Sequence, residues 1–269
     1  MTKKKILLIV LLILILIALA LAGLIGWELY TDWQSRSFYS SLLSEVESSR
    51  SVHVVEHTDE GAEADDDEGV PTSEPVAAGY REWTPYVDFR ALNYDYPGIV
   101  GWIKLDDTLL NYPVMQYHDN DYFLTHLPDG TQHRSGSIFL DYRNNSDFSD
   151  KSILIYGHES RVDDMFGALK NYRKQAFYNA NPIMYLYTPE QDFLIVPFAA
   201  YLAHPVRDHP IMEFSSDEQF LGYVANLKSN SFIRTNVDVS SEDRLVSLVT
   251  CAYDFDNARL IVVGILVEI

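Results

Sequence analysis

The sequence predicts a mainly β protein, a barrel with helices at its edges, set behind an N-terminal membrane-crossing helix. Three observations carry this reading. Residues 6–26 contain no charged side chain and are rich in Leu and Ile. From about residue 80 to residue 269, short apolar runs recur between Asp, Asn, Gly and Pro residues, the punctuation of strands and turns. Few helix-length segments lie between those runs, which argues against a doubly wound parallel sheet and for a barrel. With 47% apolar residues and 18 tyrosines, the chain has enough to bury a sizeable core.

Composition removes several classes. There are 20 basic and 39 acidic side chains, for a net charge of −19. A nucleic-acid-binding protein needs a basic face, and this chain is acidic. A single cysteine excludes both a disulfide framework and a zinc site made of cysteines. The charge is partly a property of one acidic segment and does not describe the whole surface.

At 1.5 Å of rise per residue, about 20 apolar residues cross the ~30 Å hydrocarbon core, so residues 6–26 suffice for one span. Lys3, Lys4 and Lys5 precede it and are expected to stay in the cytoplasm, placing everything after Trp27 outside. Ala18-Leu19-Ala20 and Ala20-Leu21-Ala22 resemble the small-residue sites of a cleaved signal peptide. The run is longer than the ~7–15 residues of a signal core, which favours an uncleaved anchor. The expected organisation is a cytoplasmic tail at 1–5, a transmembrane helix at 6–26, an extracellular stalk and acidic linker at 27–79, and one globular domain at 80–269.

After the span, Trp33, Phe38, Leu42 and Val46 fall at loosely helical spacing and predict a juxtamembrane helix or stalk. Residues 56–75 turn acidic, with the run Asp65-Asp66-Asp67-Glu68, and predict an extended, self-repelling linker. That run lacks the spaced ligands and turn glycine of a calcium loop. A short helix is expected near Thr84-Pro85, threonine capping and proline in the first turn, with Val87, Leu92 and Tyr94 on its apolar side. Strands are expected at 99–103, 112–116, 137–140, 152–156, 183–187, 193–202, 245–250 and 260–267. Helices fit 163–172, where Met165, Phe166, Leu169 and Tyr172 share a face, and 215–227, opened by Ser215 and Glu218 in capping-box spacing.

The chemistry depends on where the lone thiol sits. Cys251 ends one predicted strand, and Arg259 opens the next after a short polar and aromatic connection. If the two strands pair, the thiol and the guanidinium face each other at one mouth of the sheet. A guanidinium there lowers a thiol's pKa or donates hydrogen bonds to an oxyanion. An unpaired cysteine outside the membrane is a chemical liability and so a flag for function. A buried cysteine acting as a small hydrophobe is the ordinary alternative. A cysteine nucleophile needs a proton-transfer partner. Of the eight histidines, His158 stands apart, because an apolar strand delivers it through Gly157 to an exposed end. An ordinary surface histidine fits the same position.

Tyr156-Gly157-His158, Leu248-Val249-Thr250-Cys251 and Arg259-Leu260-Ile261-Val262-Val263 together resemble the signature of the sortases, membrane-anchored cysteine transpeptidases of Gram-positive bacteria. Ser247 takes the first position of their Thr-Leu-x-Thr-Cys motif, a conservative departure. Further segments resemble class B sortases: Gly101-Trp102-Ile103, Asn111-Tyr112-Pro113-Val114-Met115-Gln116, Asp119-Asn120, the run from Gly136 to Asn144, and Met165-Phe166-Gly167. The resemblance covers roughly residues 89–269.

This resemblance implies an eight-stranded sortase-type barrel with class B helical additions. It implies that Cys251 attacks the carbonyl of a threonine in a C-terminal sorting signal, that His158 handles the protons, and that Arg259 steadies the oxyanion or positions the substrate. Asn120, Leu124 and Thr250 match positions of the class B substrate groove. Ala252 departs from the acidic residue some members carry after the cysteine, and Tyr253 either lines the groove instead or packs as an ordinary aromatic. The implied partners are secreted proteins bearing the signal and a cell-wall amine, from the peptidoglycan cross-bridge or lipid II, with no cofactor and no metal. Rival readings are a pilin-polymerising class B sortase using a pilin lysine, a membrane-anchored cysteine endopeptidase that transfers to water, and a noncatalytic surface-binding barrel.

Overall fold

A computed structural model describes residues 3–56, 86–160, 163–204, 208–252 and 257–269. The expected acidic linker, the Thr84-Pro85 cap and Tyr253 lie outside the described residues. The eight strands are β1 (Ile99–Lys104), β2 (Asn111–Met115), β3 (Ile138–Leu140), β4 (Ser152–Tyr156), β5 (Met184–Tyr187), β6 (Phe193–Ala203), β7 (Arg244–Cys251) and β8 (Arg259–Glu268). They close into one barrel in the order β1-β2-β3-β4-β7-β8-β6-β5. All eight match the predicted runs to within a residue or so at most ends. Each run is bounded by turn formers and carries apolar residues on both faces, as barrel strands covered by helices and loops must.

Two of the pairings are parallel, β2 with β3 and β4 with β7. The long antiparallel ladders β6–β8 and β7–β8 form the back of the barrel. Alternation along β7 divides the apolar residues between two layers. Val246 and Leu248 join the barrel interior with Trp102, Ile103 and Phe166. Leu245 and Val249 pack outward with Phe220, Val224 and Leu227 of helix α4 (Asp217–Ser229).

The helices differ more from expectation. Helix α2 (Phe89–Asp95) is capped by Asp88, whose carboxylate accepts from the backbone N–H groups of Arg90 and Ala91 at 3.1 Å. Val87 and Leu92 are buried as expected, but Tyr94 is 89% exposed. The segment expected as a helix at 163–172 is a 3-10 helix at Phe166–Arg173. Asp163 and Met165 both take positive φ, which no helix continues through. A short helix α3 (Gln175–Ala180) follows. It buries no residue fully, so it leaves no apolar period in the sequence to find. The cap of α4 sits one residue later than the Ser215–Glu218 box. Ser216 Oγ accepts from the Gln219 N–H, and Gln219 Oε1 accepts from the Ser215 N–H and hydroxyl.

The N-terminal helix α1 (Lys3–Glu56) contains a stretch long and apolar enough to cross a membrane. The part of α1 after that stretch is helical and lies against the barrel, not apart from it. Tyr39, Leu42 and Val46 are buried there. The Tyr39 ring meets Tyr112 edge-on with centroids 4.7 Å apart, and its hydroxyl donates to the Gly136 carbonyl. Burial pushes the Tyr39 phenol well above its usual range, so it stays a neutral donor.

Candidate active site

Register brings the predicted residues to one mouth of the barrel. In the parallel β4–β7 pair, Tyr156 lies opposite Val249, and the Gly157 N–H extends the ladder by donating to the Val249 carbonyl at 3.1 Å. Two residues beyond that pair the strands reach His158 and Cys251. In the antiparallel β7–β8 pair Cys251 lies opposite Arg259, which also faces Ala203 of β6. Three neighbouring strands thus deliver His158, Cys251 and Arg259 at one level, although more than 90 positions of sequence separate the first two.

The backbone holds His158 firmly. A Cβ on Gly157 would sit 2.5 Å from the Phe166 ring, so only glycine lets that fully buried ring pack against the strand end. The Phe166 N–H donates to the His158 carbonyl at 3.1 Å, and Glu159 bridges to Met165. The imidazole itself reaches the surface, at the edge of a cavity of about 390 Å³. Partial desolvation holds its pKa below the usual histidine value, helped by Arg134 and His133 and opposed by Glu159 and Asp164. A neutral ring can accept a proton. Arg259 is half-buried, and its Nη1 donates to the carbonyls of Asn257 and Ala258 at 3.2 and 3.1 Å. Those bonds fix the guanidinium at the β7–β8 turn.

The expected groove residues divide. Thr250 is buried beside Leu260, and its hydroxyl has no hydrogen-bond partner among the described residues. Leu124 ends a 3-10 turn (Tyr122–Leu124) and is 54% exposed. Its carbonyl and that of Phe123 crowd Gly136, whose φ of 56° and lack of Cβ let β3 start at the His158 level. Asn120 is engaged elsewhere. Its amide donates to Asp141 at 3.0 Å and accepts from the Tyr142 N–H, past the far end of β3. Asp141 is fully buried, and also receives Arg143 at 2.7 and 2.8 Å and the Tyr156 hydroxyl at 3.1 Å. Burial alone would raise its pKa, but the Arg143 and Asn120 hydrogen bonds outweigh it and hold the carboxyl below its usual range.

Sequence reasoning missed the contribution of α1. Glu28, Asp32 and Arg36 border the His158 cavity together with Arg134 and Asp164. The apolar span dominates the composition of that region, so no signal marked these polar neighbours as part of the mouth. Among the described residues, no three His, Cys, Asp or Glu side chains gather to hold a metal ion.

No protein-family model matches the chain. Curated relatives do. Sortase B of Listeria monocytogenes is 35% identical over 182 residues, covering 67% of this chain and 73% of the relative. Sortase B of Staphylococcus aureus is 32% identical over 183 residues, covering 67% and 75%. Among solved structures, a Staphylococcus aureus sortase B–substrate complex superimposes with a TM-score of 0.64 at 31% identity, covering 67% of this chain and 85% of that one. A Bacillus anthracis protein described as similar to sortase B gives 0.63 at 33%, covering 67% and 83%. Fold and sequence together define a sortase, a cysteine transpeptidase built on a closed β-barrel. Within that class, the chain belongs to the sortase B family.

Proposed function

We propose that this chain is a membrane-anchored transpeptidase that cleaves a C-terminal sorting signal after threonine and transfers the protein to a cell-wall amine. The observation that carries the reading is the three-strand register that aligns His158, Cys251 and Arg259. Cys251 attacks the threonine carbonyl while His158 accepts the thiol proton. A carbon–sulfur bond forms, the amide C–N bond breaks, and the imidazolium returns its proton to the leaving amine. Arg259, fixed at the turn, stabilises the oxyanion or orients the peptide. An amine of the peptidoglycan cross-bridge or lipid II then attacks the thioester, its proton passes to His158, the carbon–sulfur bond breaks, and the imidazolium returns the proton to sulfur, regenerating the thiol.

Leu124 and Thr250 suit a groove at that mouth, and Tyr253 is assigned to the same groove from its place in the sequence alone, two residues after Cys251. We assign Asn120, braced by Asp141 and Tyr142, to a part of the groove farther from that mouth. The anchor is residues 6–26, with the N-terminus cytoplasmic and the barrel outside. Solved sortase B structures are described in complex with substrate, for the Staphylococcus aureus protein, and with triglycine, consistent with a peptide donor and an amine acceptor for this family member.

Mass spectrometry of the full chain, incubated with sorting peptides with and without an amine acceptor, tests the proposal. A thioacyl adduct on Cys251 that disappears into an amide-linked product is expected. Release to water alone would favour an endopeptidase, and transfer to a pilin lysine alone a pilus-assembling enzyme. No adduct with any peptide sinks the mechanism.

A further inference from the structure

The apolar stretch of α1 does not end in a loose tether. The helix continues unbroken to Glu56 and is fastened to the barrel within three turns of Gly26. His133 Nε2 lies 2.8 Å from the Thr31 carbonyl, Arg134 donates to Asp32 at 2.5 Å and to Glu28 at 3.3 Å, and Arg36 pairs with Asp164 at 3.7 Å. Asp164 lies two residues before Phe166, whose N–H holds the His158 carbonyl. Glu28, Asp32, Arg36, Arg134, Asp164 and His158 consequently border one cavity. At 1.5 Å of rise per residue, the α1 residues that border the His158 cavity, Glu28 to Arg36, lie about 3–15 Å along the helix from Gly26.

Three aromatic side chains stay uncovered at the same height. Trp27, Tyr30 and Trp33 are 67%, 53% and 63% exposed, and successive ring centroids are 6.2 Å apart. Their three-residue spacing makes one ladder along α1, continuous with the apolar stretch. Trp and Tyr settle where hydrocarbon meets water, because their rings are apolar and their N–H and O–H groups are not.

We propose that the Trp27–Tyr30–Trp33 ladder docks into the headgroup region of a lipid bilayer, and that α1 acts as a rigid strut holding the His158 mouth at the membrane surface. The proposal rests on residues 6–26 being a membrane anchor. It restricts the substrate class: the mouth meets polypeptides whose scissile bond lies within about 15 Å of the bilayer, as in a protein held by its own apolar tail. Arg134, paired with both Glu28 and Asp32, offsets one of the two negative charges nearest the headgroups.

The test uses the full chain in phosphatidylcholine–phosphatidylglycerol vesicles. Flotation with the vesicles is expected, and failure to float overturns the anchor and the strut with it. In floated protein carrying Cys251→Ala and Asn257→Cys, a donor dye at position 257 should transfer energy efficiently to acceptor-labelled headgroups. Inserting seven helix-forming residues after Gly26 should then lift the dye by about 10 Å. Floated protein whose dye distance ignores the insertion overturns the strut and leaves the anchor standing. Lipids brominated near the top of the acyl chains should quench tryptophan emission, and Trp27→Ser with Trp33→Ser should remove most of the quenchable part. An unchanged quenchable fraction, or a ladder covered by a second copy of the chain, overturns the docking.

Discussion

At the level of single residues, the mouth of the barrel is built from one side chain per strand, and each has a different tolerance. His158 has its pKa lowered chiefly by desolvation, so the folded state binds its proton less readily than the unfolded chain does. Between the folded pKa and about 6.5 the unfolded state therefore holds more protons, and stability rises with pH through that window. Acidification below about pH 6.5 should lower the melting temperature of the wild type more than that of His158→Gln, measured by a thermal scan across pH 5–7.5. The acidic limb of the transpeptidation profile should likewise fall below 6.5; a limb above 6.5 would contradict the burial argument. Arg259 makes both of its carbonyl bonds through Nη1, so the planar guanidinium has further N–H groups to present to an oxyanion, an array that a Lys ammonium tied to the same carbonyls does not reproduce. Arg259→Lys should therefore cost about 10²-fold or more in kcat/KM, while the melting temperature moves little. Rates within a few-fold of wild type would remove Arg259 from the oxyanion.

Elements decide whether those residues meet. Gly157 is the hinge between β4 and the Phe166 segment, and the Ala variant forces a methyl into the buried ring. Overpacking of this kind costs about 1–3 kcal/mol. Gly157→Ala should show that loss in denaturant unfolding and a larger fractional loss of activity, because the backbone of His158 shifts with the ring. Ser216→Ala removes the α4 cap far from the mouth and should cost about 1 kcal/mol without a selective loss of activity. Strands were the most legible elements, since Asn, Asp, Gly and Pro bound each apolar run. Their partners were not. The β4–β7 pairing joins Leu154 to Ser247 across the middle of the chain, and no local pattern encodes a parallel pairing at that distance. Leu248, Val249 and Cys251 marked a strand end, and His158 another, yet only the closed barrel makes them neighbours. The 3-10 segment after Met165 read as an α-helix because Phe166, Leu169 and Tyr172 recur at i, i+3 and i+6, a spacing both helix types share. Asn120 was legible as a special residue, but its bonds to Asp141 and Tyr142 were not.

Seen whole, the molecule treats its N-terminal helix as part of the folded domain. Ser35, Tyr39, Leu42 and Val46 are buried against the barrel, while the side chains of the apolar stretch from Val10 to Ile25 are exposed. The apolar half and the docked half have different partners, and truncation separates them. A chain starting at residue 27 keeps the barrel contacts of Thr31, Asp32, Arg36, Tyr39, Leu42 and Val46; a chain starting at residue 57 loses all of them. Burying an apolar side chain stabilises by about 1.5–3 kcal/mol, an upper range because unfolded chains already cover part of that surface. Tyr39, Leu42 and Val46 together are worth several kcal/mol on that scale, and a domain of this size loses roughly 2–4 °C per kcal/mol. The shorter chain should melt at least about 8 °C below the longer one and expose Tyr112 and Tyr96, the rings that Tyr39 and Phe38 cover, raising the binding of hydrophobic dyes. Its His158 cavity also loses the wall made by Glu28, Asp32 and Arg36, so cleavage of a soluble sorting peptide should weaken mainly through KM. Equal melting temperatures for the two chains would show that α1 rests on the barrel without stabilising it.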